Sequence, residues 1–249
     1  MSRIHFSGPC WTRHLRMTIF SVFAVAASSE VLPAQEAPAP TVVRVEEDWV
    51  ALIRNPDQGT SAPQIANVIS PNRSTSGAFG ILELNHNSFP RFREGGLQIQ
   101  AWNGPNASGA LASEKSARLH LQNDRVEYTV GMETTESGYR FGLLKGRSRS
   151  WGQVCSSPVW VSLEADNPTL TGYSPEFSVA NTNVNVGAHR VEILYLRQTR
   201  YVYSDGSTVT DDTMRVLHRF QELVQDVSIE DYDQNPSFYN IEITETDAG

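Results

Sequence analysis

Cysteine is nearly absent from this sequence, which has two in 249 residues. Cys10 lies in an N-terminal segment that we expect to be removed, so that Cys155 would remain alone. A single cysteine cannot form an internal disulfide. The fold must therefore be stabilised by a hydrophobic core, which a domain of about 200 residues is large enough to supply.

Positive charge is also scarce. The formal net charge is −8, the only lysines are Lys115 and Lys145, and no basic residue follows Arg219. An acidic chain without a run of basic residues is poorly suited to bind a phosphate backbone. We therefore expect no nucleic-acid partner.

Long apolar runs are missing too. The longest, "MTIFSVFAVAA" at 17–27, has about a dozen residues, whereas a helix that crosses a membrane needs about 20. It follows the basic residues Arg3, Arg13 and Arg16 and precedes a stretch of small residues, which is the pattern of a secretory signal peptide. The sequence predicts a signal peptide over 1–34 and no transmembrane segment in the mature chain.

A Pro/Ala-rich linker at 35–40 follows this segment and argues against the alternative of a buried N-terminal helix. Cleavage near Ala26 and cleavage near Ala34 both fit the pattern. Met17 is a second candidate start. A chain that began there would lack Arg3, Arg13 and Arg16, the basic residues expected before the apolar run. We expect a secreted, periplasmic or cell-envelope protein.

Common catalytic and cofactor motifs are absent from the sequence. There is no G-x-S-x-G, H-E-x-x-H, C-x-x-C, phosphate loop or dinucleotide fingerprint. We therefore expect no serine-hydrolase elbow, no zinc site and no cofactor.

One segment, "DYDQNPSFYNIE" at 231–242, matches part of the calcium-binding EF-hand pattern. Asp231, Asp233 and Glu242 stand at ligand positions of the twelve-residue loop. The sixth position requires glycine for its sharp turn, but here it is Pro236, whose ring fixes φ near −65°. We therefore predict no EF-hand, although a looser calcium site there or around "SDGSTVTDD" (204–212) stays open. The latter segment is first of all typical of a hairpin turn.

Alternation of apolar and polar residues between turn residues is the dominant pattern of the rest of the chain. It predicts short antiparallel strands, at 41–53, 64–70, 77–84, 95–102, 125–133, 138–146, 158–165 and 190–206. The middle of the last one, "ILYL", is apolar on both faces and indicates a central strand. The number and lengths of these strands resemble those of jelly-roll or concanavalin-like sandwiches, so we predict an all-β antiparallel β-sandwich over 41–210.

The remaining segment, 211–249, is predicted to hold one short helix and an acidic tail. Val216, Phe220, Leu223 and Val227 recur at helical spacing, and Asp212 or Thr213 could cap the helix.

The stretch "GGLQIQAWNG" at 95–104 is the best candidate for a binding site. Leu97, Ile99 and Ala101 form the apolar half of the alternation, which places the other half on the opposite face. That polar and aromatic half consists of Gln98, Gln100 and Trp102.

Residues from other strands could extend this face. If the preceding strand pairs with this one, Glu83 and Asn85 join it, and Trp160 also faces outward by its position in its own strand. Amides and a carboxylate beside an aromatic ring suit sugar binding, although a solvent-facing strand, or a face covered by the C-terminal segment, has the same pattern.

We expect a non-enzymatic protein that binds a carbohydrate or a cell-surface polymer. One alternative is a glycan-active hydrolase or lyase, with Glu83 and a carboxylate from another strand, such as Glu127 or Glu133, flanking the sugar. The other alternative is a structural or adhesion module without a small ligand.

Export makes the first testable prediction. The mature protein should begin between Ala27 and Glu36, because signal peptidase cleaves after the small residues that follow the apolar run. N-terminal sequencing of protein recovered from the host's envelope or medium checks this. An intact start at Met1 or Met17 in that material would contradict it.

Overall fold

The computed structural model describes residues 38–85, 97–107, 118–153 and 157–219. The predicted signal peptide, residues 35–37 of the predicted linker and the segment 231–242 lie outside these residues. Within them the chain is all-β, as predicted, and its sheets are antiparallel.

The described residues form thirteen strands, one α-helix and one short 3₁₀-helix. The strands are β1 (Val42–Ile53), β2 (Gln64–Ile69), β3 (Ala78–Leu84), β4 (Leu97–Asn103), β5 (Asn106–Ala107), β6 (Asp124–Thr135), β7 (Gly138–Ser148), β8 (Gly152–Gln153), β9 (Val159–Glu164), β10 (Asn183–Val186), β11 (Val191–Tyr203), β12 (Thr208–Asp211) and β13 (Arg215–Arg219). The helices are α1 (Pro175–Asn181) and the 3₁₀-helix Ala188–Arg190. All eight strands predicted from the alternation are present, with ends within a few residues of those expected.

Two sheets contain these strands. The eight-stranded sheet has the order β12-β11-β1-β6-β7-β8, with β13 pairing with β11 and β9 with β7. The five-stranded sheet has the order β10-β2-β3-β4-β5. One large cluster of buried side chains contains residues of both sheets, among them Trp49, Met132 and Phe141 from the first sheet and Leu82 and Ile99 from the second.

Strand β11 is covered on both faces, as its apolar middle predicts. Leu194 and Leu196 belong to the large cluster, whereas Ile193 and Tyr195 join Val50 and other residues in a smaller cluster on the other side. Burial on both sides explains why the alternation of polar and apolar residues is lost there.

The predicted C-terminal helix is wrong at its start. Residues 215–219 form β13, which pairs with β11, and the rest of the predicted helix lies outside the described residues. Val216 is exposed, so the spacing that suggested a helix face does not mark a buried stripe here. Pairing with the free side of a long strand outweighs a weak helical pattern. Strand β12 crosses residue 210, where we expected the domain to end.

The helix α1 was not predicted, and local capping explains it. The Ser174 side chain accepts a hydrogen bond from the main-chain N–H of Phe177, and Pro175 occupies the first turn. Serine at the N-cap followed by proline is a favourable start for a helix. With seven residues, the helix is too short for its apolar spacing to stand out in the sequence.

A buried carboxylate lies inside the core beside α1. Glu47, on the inner face of β1, is fully buried. The indole N–H of Trp49 donates to its Oε2 at 2.9 Å, and the Tyr173 hydroxyl donates to its Oε1 at 2.7 Å. Burial raises the pKa of Glu47 above its ordinary value of 4.5, and these hydrogen bonds offset only part of that effect.

Glu47→Gln is expected to stabilise the protein at neutral pH. The folded state holds the Glu47 proton more tightly than the unfolded chain does, so stability is lost as the pH rises from the ordinary pKa to the raised one. Glutamine stays neutral. Its carbonyl oxygen can still accept a hydrogen bond from the Trp49 indole, and its NH₂ group can donate one to the Tyr173 oxygen. Urea unfolding at a series of pH values measures the difference, which should vanish below the ordinary pKa of glutamate.

Tyr173→Phe is the matched variant. It removes a donor that favours the ionised carboxylate and so raises the pKa of Glu47 further, and the loss of stability with rising pH should extend to higher pH. An unchanged pH dependence in Glu47→Gln would contradict the assignment of the effect to Glu47.

Candidate functional site

The pairing of β3 with β4 places most of the predicted binding residues on one face of the five-stranded sheet. Glu83 lies opposite Gln98, and Phe79 lies opposite Trp102. Gln100 lies between Gln98 and Trp102 along β4. On the other side of the same strands, the apolar residues Leu82, Ile99 and Ala101 are buried in the core, as predicted. The side chain of Leu97 is outside the part of the chain that the structure describes.

Hydrogen bonds connect three of these side chains in a row. The indole N–H of Trp102 donates to Gln100 Oε1 at 3.0 Å, and Gln100 Nε2 donates to Glu83 Oε2 at 2.8 Å. Because the indole N–H can only donate, the Gln100 oxygen must face Trp102 and its NH₂ group must face Glu83. The side chains are therefore held in place before any ligand arrives.

Phe79 extends this surface with a second aromatic ring. The rings of Phe79 and Trp102 are nearly parallel, with 6.1 Å between their centroids and 12° between their planes. Sequence reasoning missed Phe79, although alternation along β3 puts it on the same face as Glu83. We call Phe79, Glu83, Gln98, Gln100 and Trp102 the amide face.

Gln98 is the unusual member of the amide face. Its side chain is 1% exposed, and neither its amide nitrogen nor its amide oxygen is hydrogen-bonded within the described part of the chain. A buried amide without partners costs about 1–3 kcal/mol, so such groups usually indicate a bound water, a ligand or a functional role. Trp102 and Gln100 are only half-buried, so the amide face is open at the Trp102 end.

Glu83 supplies the only acidic side chain in the five strands of this sheet. Burial raises its pKa above the ordinary value of 4.5, and the hydrogen bond from Gln100 offsets part of the shift. A carboxyl group with a raised pKa can donate or accept a proton nearer to neutral pH. Glu127 and Glu133, considered above as its partners, lie on β6 of the other sheet and bond to arginines.

Asn85 does not join the amide face. It lies just beyond the end of β3, with a φ of 55°, and is fully buried. Its amide donates to the Pro63 carbonyl and its carbonyl accepts from the Leu119 N–H, at 2.9 and 3.0 Å. Asparagine adopts such a positive φ more easily than most residues, so this side chain stabilises a loop.

Trp160 lies on β9, in the eight-stranded sheet rather than beside Trp102. Its ring lies over the opposed residues Gly131 and Gly142, where an added Cβ would come within 3.0 and 2.5 Å of the ring. The Arg140 guanidinium stacks on the ring, 4.6 Å from its centroid. Trp151 is buried. Alternation shows which side of a strand a residue faces, but not which sheet the strand joins.

The described residues contain no group of three or more histidine, cysteine, aspartate or glutamate side chains placed to hold a metal ion. Among the same residues, no helix is long and apolar enough to cross a membrane. The amide face presents hydrogen-bonding side chains and two aromatic rings.

The Gln98 amide, which has no hydrogen-bond partner within the described residues, leads to a prediction about stability. Gln98→Leu should raise the free energy of unfolding by about 1–3 kcal/mol in ligand-free protein, because an apolar side chain of similar size removes the unmet hydrogen bonds. Gln100→Leu is the matched control. It should lower stability, because it breaks the bonds to Glu83 and Trp102. Urea unfolding of both variants measures this, and a loss of stability in Gln98→Leu would show that its amide has partners.

Comparison of the chain with protein-family models, with curated proteins and with solved structures finds no match. The function of the amide face therefore has to be argued from its own geometry and chemistry.

Proposed function

We propose that this protein is an exported, non-enzymatic binding protein that holds a carbohydrate or a cell-surface polymer on the amide face. In this proposal the two sheets form a β-sandwich of the jelly-roll or concanavalin-like kind, and the amide face lies on the side of the smaller sheet that is turned away from the core between the sheets. The Gln98 amide carries the proposal, because it is buried and has no hydrogen-bond partner within the described part of the chain, and such a group calls for a polar ligand or water.

The arrangement of the other side chains supports a sugar as that ligand. Sugars present flat C–H surfaces to aromatic rings and hydroxyl groups to amides and carboxylates. Trp102 supplies a ring at the open end, and the bonds to Gln100 and Glu83 keep the polar groups fixed. A rigid site loses less side-chain entropy when a ligand binds.

The alternative of a glycan-active hydrolase or lyase has one observation in its favour, the raised pKa of Glu83. Glycoside hydrolysis by the usual route needs two carboxyl groups about 5–9 Å apart. The strands of this sheet offer one acid, and Glu127 and Glu133 belong to the other sheet. Binding without catalysis therefore has the better support. The other alternative, a structural or adhesion module, gives no role to the unpartnered Gln98 amide.

A glycan-array screen of the wild type, followed by titration calorimetry on variants, tests the proposal. Trp102→Ala should weaken binding by about 1–3 kcal/mol, because the ring loses its contact with the sugar. It should lower stability by only about 0.5–1.5 kcal/mol, the value of its stacking on Phe79.

Two variants act as controls. Trp160→Ala removes a half-buried tryptophan from the other sheet and should leave sugar binding unchanged. Ile99→Ala should lower stability by about 2–5 kcal/mol, because Ile99 is buried in the core under the amide face. A blank array, or equal loss of binding in Trp102→Ala and Trp160→Ala, would rule out the amide face as the site.

A further inference from the structure

An open cavity lies on the eight-stranded sheet, on the face turned away from the main core. Its volume is about 520 Å³, within the range of small-ligand sites. Its wall contains three cationic side chains, Lys145, Arg147 and Arg197, and one carboxylate, Glu127. The wall thus has two more positive than negative charges, although the whole chain carries a net charge of −8.

Two β-bulges lie at this cavity, one on β11 and one on β7, with β1 and β6 between them. Asp48 of β1 lies opposite Thr129 of β6. On one side of this pair, β11 has an extra residue, Arg197, and on the other side β7 has an extra residue, Leu144. Bulges turn side chains out of their regular positions and are frequent beside functional sites. Here they bring Arg197 and Lys145 towards the same point from opposite strands.

The buried carboxylate of Asp48 lies at that point. The Thr129 hydroxyl and the Gln198 amide both donate hydrogen bonds to it, the latter at 2.7 Å. Lys145 Nζ and Arg197 Nη2 are farther away, at 3.8 and 3.5 Å from its oxygens. Both cations are thus held near Asp48 by charge, at distances too long for good hydrogen bonds.

Two guanidinium groups flank Glu127 at this cavity. Arg125 and Arg147 contact it from either side, with nitrogen–oxygen distances of 2.6 and 2.5 Å. Its burial acts to raise its pKa, but the neighbouring guanidinium groups outweigh burial and lower the pKa. Arg147 is more than half exposed and lines the cavity.

We propose that this cavity binds the phosphate or sulfate group of a small molecule, with Lys145, Arg147 and Arg197 as the residues that contact the anion. A tetrahedral oxyanion accepts hydrogen bonds from several directions, as these three side chains on two separated strands can provide. The volume exceeds that of a bare oxyanion, so an ester of an organic molecule fills it better than a free ion. The site is on the other sheet from the amide face and does not depend on the function proposed for it.

Titration calorimetry of the full chain at low salt tests this proposal. The probes are inorganic phosphate, inorganic sulfate, glucose 6-phosphate and glucose 6-sulfate, with glucose as the uncharged control. The charged probes should bind and glucose should not. Tighter binding of the esters than of the free ions would show that the organic part also contacts the cavity. Added salt should weaken binding, because the site is open to solvent.

Arg197→Gln and Lys145→Gln should each weaken binding roughly tenfold, the value of one lost hydrogen bond to a charged group. Each single variant leaves the other cation to balance Asp48, and thermal melting checks that both remain folded. Lys145 is largely exposed, so its replacement should disturb the fold least.

Arg200→Gln is the matched control. It removes the same charge from the same strand, but Arg200 bonds to Glu46 and does not line the cavity. It should change affinity by less than about threefold, the effect of a distant screened charge. Failure of every charged probe to bind at about 10 mM, or a loss in Arg200→Gln equal to that in Arg197→Gln, would overturn the proposal.

Discussion

Three consecutive carboxylates in the middle of a central strand constrain much of the larger sheet. Glu46, Glu47 and Asp48 of β1 are all buried, and β1 is paired on both sides along most of its length. A buried carboxylate is costly unless charge or hydrogen bonds compensate for it. Alternation sends Glu47 to the core face and the other two to the opposite face, so each needs its own partners.

The neighbouring strands supply those partners. Glu46 bonds to Arg200 of β11 and lies 2.9 Å from Arg44 on its own strand. Glu47 accepts hydrogen bonds from the neutral side chains of a tryptophan and a tyrosine. Asp48 accepts hydrogen bonds from Thr129 and Gln198, and the nearest cations lie farther away. The pattern explains why the outer face of this sheet carries so many arginines in an acidic chain. It also explains why the cations near Asp48 lie at 3.5 and 3.8 Å from its oxygens rather than in close hydrogen bonds to them.

The sequence predicted the strands well because alternation is a local property. The positions of Glu83, Gln98, Gln100 and Trp102 on one face followed from alternation together with one assumption, the pairing of consecutive strands, and the structure has that pairing. Asn85 departed from the prediction because a positive φ ends the strand just before it. Alternation cannot detect such a change of backbone conformation.

Features that depend on distant parts of the chain could not be predicted in this way. Trp160 belongs to another sheet than Trp102, which only the topology decides. The cationic cavity needs residues from β7 and β11 and two bulges, and a bulge leaves no local pattern in sequence that we could read. The unpartnered amide of Gln98 likewise depends on what surrounds it in three dimensions.

The ring of Trp160 over Gly131 and Gly142 has a consequence for how β6 and β7 stay together. Two opposed glycines have no side chains to cover the main chain. Water that reached the main chain there would compete for the hydrogen bonds between β6 and β7. The indole lies over both glycines, the Leu144 side chain also covers Gly131, and Arg140 stacks on the indole. The Trp160 ring from the neighbouring strand thus shields the hydrogen bonds between β6 and β7 from solvent at the glycine pair.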